Sequence, residues 1–142
     1  MKPVSSGKPM SFLSYQHIAL LHKKNMETIK IIYWVSTVLV GLTFIYGAYS
    51  DFRSAEVKEA FVHLGFPAYF RVELGVMKLI GVVLLLAPLP VYCKEWAYAG
   101  FAVTLVSAFI AHTASGDKVG MRMAPLIILV FMLVSYFSFH HL

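Results

Sequence analysis

The sequence predicts an all-α, polytopic membrane protein: an antiparallel four-helix transmembrane bundle with a short amphipathic helix between the first and second membrane helices. Of 142 residues, 59% are hydrophobic and 13% charged, against roughly 45–50% and about 25% in a soluble domain. Four apolar runs, 29–49, 69–86, 96–114 and 123–139, each come close to the roughly 17–25 residues that cross a bilayer as a helix. Between the first two runs, Val57, Ala60, Phe61 and Leu64 recur at helical spacing while Glu56, Glu59 and His63 take the other face, the pattern of a helix lying in the membrane interface.

The chain divides into a polar, basic arm over 1–26 and a membrane domain over 27–142. The net charge of +5 belongs to the arm, which with Lys30 supplies five lysines, whereas the remainder is nearly neutral. A short basic arm before an apolar helix meets anionic lipid headgroups rather than nucleic acid. It shows no sustained period beyond Ile18–Leu21, and Met26 is expected to serve as an alternative start. The first apolar run is too long for a cleaved signal and no small-residue cleavage site ends it.

After the first run, Ser54 is placed to cap the amphipathic helix, and Gly65 with Pro67 to end it. Two prolines mark 88–95 as a tight turn, and 115–122 is a polar, glycine-bearing loop. With four spans both termini share a side. The lysines ahead of the first span favour the cytoplasm for that side, although six basic residues on it face five on the other.

Two stripes of small residues suggest packing seams, because small side chains let helices approach closely in lipid. One runs through Gly100, Thr104, Ser107 and Ala111 on the third span, the other through Gly41 on the first. The second span carries the unusual chemistry. Starting from Tyr69, Glu73 lies about 6 Å and Lys78 about 14 Å along the axis, near the middle of the hydrocarbon layer. A central Lys costs roughly 2.5–3.5 kcal/mol, so Lys78 is expected to face the interior and find a partner. Glu73 sits about 140° away around the helix, so both charges look to neighbouring helices, with Asp51, His112 and Ser107 as candidates. Asp51, Arg71, Glu73 and His112 fall at similar depth, and Phe61 is a candidate lid over them.

The lone Cys93 excludes an internal disulfide and any Cys-based metal cluster or redox pair. Phosphate-binding loops, dinucleotide glycine fingerprints and hydrolase motifs are absent, and no metal site is expected.

The segments FVHLGFPAYFRVELGVMKLIGVVLLL and KEWAYAGFAVTLVSAFIAHTASGD resemble the DoxX-like family of small four-helix bacterial membrane proteins. The resemblance rests on Leu-Gly-Phe-Pro leading into the second span, the Glu73 to Lys78 pattern, the opening of the third span and its close at His112. It implies the bacterial inner membrane and a link to redox or stress-response complexes, since the family takes its name from a subunit of a thiosulfate:quinone oxidoreductase. The expected function is a non-catalytic membrane subunit or a bundle that binds a small amphipathic ligand, a quinone or lipid. The alternatives are a quinone-handling oxidoreductase and a scaffold whose buried charges only fix packing. Partners are the bilayer, a redox protein and a second copy of the chain.

Overall fold

Residues 11–142 are described by a computed structural model of the chain, whose regular elements are five α-helices: α1 (Phe12–Arg53), α2 (Ala55–His63), α3 (Ala68–Leu86), α4 (Val91–Ala114) and α5 (Val119–His140). Residues 1–10 of the basic arm lie outside the described residues. The rest of the arm is continuous with the first span, because α1 starts at Phe12, where the Ser11 hydroxyl accepts a hydrogen bond from the Ser14 N–H at 3.3 Å. Leu13, Gln16, Ala19, Leu20, Lys23 and Lys24 are good helix formers and carry the helix without a tertiary partner. That is why the stretch lacks a period: between residues 11 and 32 only Met26 and Ile29 are even partly buried.

Ser54 serves two helices. Its N–H donates to the Ser50 carbonyl at 2.9 Å and ends α1, while its hydroxyl accepts from the Val57 N–H at 3.3 Å and starts α2. At the far end of α2, Gly65 adopts φ +78°, and the Phe66 N–H reaches back to the Phe61 carbonyl at 2.8 Å. Such a left-handed turn brings the second residue past the cap onto the last turn of the helix, and the Phe61 and Phe66 rings meet there at 5.9 Å. The turn over 87–90 is shorter than expected, since α4 begins at Val91. Ala87, before Pro88, is extended and closes α3.

The four long helices form a closed ring in which α1 and α4 each pack against both α3 and α5, with α2 leaning on α1 and α3 at one end. Neighbours run antiparallel. Across the diagonal, Phe44 of α1 stacks on Phe101 of α4 at 3.8 Å between ring centroids, and Val40, Val82, Leu85, Leu105 and Met132 pack around that pair. The outward faces are equally apolar, with Leu42, Val83, Val103, Ile127, Val130 and Phe137 exposed. A protein in water could not leave so much large apolar surface unburied, whereas lipid is its natural solvent. Among the described residues α1, α4 and α5 are long and apolar enough to cross a membrane. Of the four spans expected, α3 stands apart because its 19 residues include Arg71, Glu73 and Lys78.

The close-packing residues are not those the small-residue stripe suggested. Gly100 faces open space, with nothing within 4 Å of where a Cβ would stand, and Ser107 is exposed. α4 buries Ala97, Tyr98, Phe101 and Leu105 instead, because its large aromatics fill the ring's centre and turn the small residues toward a groove beside α3. The tight contacts fall at glycines of α3. A Cβ on Gly75 would stand 2.8 Å from the Phe52 ring, and one on Gly81 would stand 2.5 Å from the Phe101 ring. Gly41 is buried against Val82 and Leu86.

Candidate functional site

At the end of the ring where α1 and α4 finish and α3 and α5 begin, the helices diverge around a cleft of about 610 Å³. Its floor is apolar, formed by Phe44, Leu105, Pro125 and Ile128. Its wall carries Lys78 and His112, and its mouth carries Glu56, Glu59, His63 and Asp117. The polar face of α2 therefore turns over the opening rather than away from it.

Lys78 finds the partner its depth demands. Its Nζ donates to Asp51 Oδ2 at 2.6 Å, with the two side chains 14% and 4% exposed. The stem crosses beside Gly47, where the absent side chain leaves room for the ammonium within 3.6 Å of the Cβ position. Of the sequence candidates, Asp51 is that partner, whereas His112 and Ser107 are not. Glu73 has no ion pair among the described residues and is exposed on the outer face of α3, because the 140° separation carries it away from the ring's interior. Arg71 is half-buried with its Nε unpaired, as is the Nε of Arg122 at the start of α5, and neither lines the cleft. Of the four groups expected at one depth, Asp51 pairs inward with Lys78, Glu73 faces outward, Arg71 lies off the cleft and His112 stands on its wall.

His112 owes its partner to the end of α4. Gly116 takes φ +71°, and the Asp117 N–H bonds to the His112 carbonyl at 3.1 Å, the same kind of turn that ends α2. The geometry sets Asp117 directly over His112, so its Oδ2 meets His112 Nδ1 at 2.7 Å while Oδ1 lies 3.7 Å from His63 Nε2 of α2. One carboxylate thus faces both the cover helix and the α4–α5 corner. Sequence reading missed Asp117, although the Ala-Ser-Gly-Asp run closing an apolar helix was the signal. It also missed Glu56 and Glu59 as lining residues and Pro125, which has no N–H and so leaves the Met121 carbonyl without its helical donor beside the cleft. Phe61 does not cover the cleft. It packs toward Phe66 and Phe70 at 5.9 and 6.5 Å, over a neighbouring groove, and Ala60, Leu64 and the acidic face of α2 take the covering position.

Beneath the floor the interior is apolar for about two turns of α1, from the level of Phe44 to that of Thr37. There the Ser135 hydroxyl shares hydrogen bonds with Thr37 at 2.6 Å and with the Tyr98 hydroxyl at 2.7 Å, linking α1, α4 and α5. At the opposite end Glu95 meets His140 at 2.7 Å, and Lys94 donates to the Tyr33 hydroxyl at 3.2 Å. The Phe44–Phe101 layer separates these polar groups from the cleft, which does not continue through the ring's centre to them. Among the described residues no three His, Cys, Asp or Glu side chains converge as a metal would require.

The sequence pattern of the DoxX-like family matches residues 35–135, most of the helical ring together with α2. The chain belongs to the DoxX-like family. No curated protein and no solved structure matches the chain.

Proposed function

We propose that this DoxX-like protein is a non-catalytic membrane bundle that binds a small amphipathic molecule of the quinone class in the cleft beneath α2. The observation that carries this reading is the cleft itself: about 610 Å³, within the roughly 300–1,000 Å³ typical of small-molecule sites, polar at the mouth and apolar at the floor. Such a gradient suits a ligand with a polar head and an apolar body.

Charge chooses among heads. Glu56, Glu59 and Asp117 line the site against one ammonium, and that ammonium is already matched by Asp51. An anionic phospholipid head would meet net repulsion, whereas an uncharged quinone carbonyl or hydroxyl would not. His112 has its Nδ1–H held by the Asp117 carboxylate and its Nε2 unpartnered among the described residues, so the neutral ring can accept from a quinol hydroxyl and the protonated ring can donate to a quinone carbonyl. Four crossings follow if α3 spans as well, its one central charge being neutralised within the ring, and the lysines before the first span set both termini in the cytoplasm of a bacterial inner membrane. The link to redox or stress-response complexes comes from the family resemblance.

The test is thermal shift in mild detergent with a tail-less benzoquinone. Wild type and Glu73→Gln should be stabilised equally, and the His112→Ala, Asp117→Asn double variant should lose the shift. A wild type without saturable stabilisation overturns the reading.

A further inference from the structure

Two more hollows adjoin the cleft and share walls with it. One, of about 420 Å³, lies between the α2–α3 corner and α4 and is lined by Phe61, Phe70, Leu74 and Ala111. The next, of about 550 Å³, follows α3 and α4 down the membrane-facing side past Gly81 and Gly100 to Trp96. Lys78 and Thr104 line all three, so they stand at the junction between the polar cleft and an apolar groove open to lipid. The small residues of α4 that did not form a packing seam make the groove's wall.

Resting on the reading of the cleft as a binding site for an amphipathic head, we infer that the α3/α4 groove holds that ligand's single unbranched tail, and that the ligand enters sideways from the bilayer between α3 and α4. Three features fit a flexible hydrocarbon chain. The groove begins where the head site ends, at Lys78 and Thr104, which wall both. Leu74, Met77, Ile80, Leu84 and Val103 offer such a chain dispersion contacts, and the polar groups at the groove's upper end are already paired, Lys78 with Asp51 and Thr104 with the Gly100 carbonyl. Its length from Thr104 to Trp96, eight helical residues, is about 12 Å, close to an extended decyl chain. A tail-bearing quinone is therefore favoured over a compact, tail-less one, and the bilayer rather than the aqueous phase is its source.

The experiment compares a tail-less benzoquinone with its decyl homologue in wild type and Gly100→Leu, a substitution that projects into the groove where the backbone has open space. Partitioning into detergent enters the decyl-to-tail-less affinity ratio equally in both proteins, so comparing that ratio between them cancels it. The ratio should be at least about tenfold higher in wild type than in Gly100→Leu. A second measurement uses Trp34→Phe protein, in which Trp96 is the remaining tryptophan: a decyl quinone brominated at the tail terminus should quench it saturably, more than one brominated on the ring. Should the tail-less compound bind while the ratio is the same in both proteins and Trp96 is unquenched, the tail site is overturned and the head site stands; loose bulk lipid then fills the groove. A change of oligomeric state in Gly100→Leu with an unchanged ratio also overturns it, in favour of a second copy seated there. If neither compound binds wild type, the head site fails and the tail site with it.

Discussion

An ammonium buried among membrane helices is tolerated only while a counter-charge stays within reach, and Asp51 at 2.6 Å serves Lys78 in that way. Removing one partner strands the other, which costs about 3–5 kcal/mol, whereas removing both in favour of apolar residues costs far less. Lys78→Met and Asp51→Leu should each lower the melting temperature in detergent sharply, and the double variant should recover most of the loss. Additive losses would contradict the pairing. Glu73→Leu, on the outward face, should melt near wild type or above it, since it exchanges an exposed charge for an apolar group. The need for an internal partner was legible in the sequence, because depth and charge alone demand one. Its identity was not, because Asp51, His112 and Ser107 all satisfied the depth argument and only the rotation of α1 against α3 separates them. His112 shows the reverse case: its partner Asp117 lies five residues away and was readable from the glycine turn between them.

At the scale of the helices, size and shape decided what periodicity could not. The stripe on α4 was real in the sequence, yet Tyr98 and Phe101 claim the interior because burying an aromatic ring removes more surface than burying Gly or Ser. The small residues then fall beside α3 as a groove. Gly81→Leu must displace the Phe101 ring, and overpacking of this kind costs about 1–3 kcal/mol, so it should destabilise strongly. Gly100→Leu should not, and equal loss in the two would refute the packing described. Gly116 is required in another sense. An alanine there must hold a left-handed conformation at about 1–2 kcal/mol, and Gly116→Ala should destabilise by that order while loosening α2, read as faster hydrogen exchange over 55–63. The limits of α2 were legible because Ser54, Gly65 and Pro67 each act locally. The start of α1 was not, since its first turns pack on nothing and so leave no apolar period.

For the molecule as a whole, the architecture follows from a single conflict: α3 carries charge through an apolar ring, and the ring closes around it. If α3 crosses the membrane, the α4 amino terminus and the α2 corner lie on opposite sides. Cys93, in the first turn of α4, and a cysteine at exposed Val62 of α2 in a Cys93→Ser background should then react with an impermeant maleimide from opposite faces of sealed, oriented vesicles. Labelling from the same face would contradict the crossing. The all-α class and the membrane setting were legible from composition and run length. The cleft was only partly so, because a cavity is the space left when helices diverge, and no residue pattern encodes its walls. The account depends most on that cleft holding a ligand. The direct measurement is purification in bilayer nanodiscs followed by mass spectrometry of the small molecules retained, with wild type set beside Ala108→Trp, whose ring would occupy the cleft and the mouth of the groove. The prediction is an uncharged, single-tailed amphiphile held by wild type in near-equal amount to protein and lost from Ala108→Trp. No such molecule in wild type, or the same amount in both, would contradict the account.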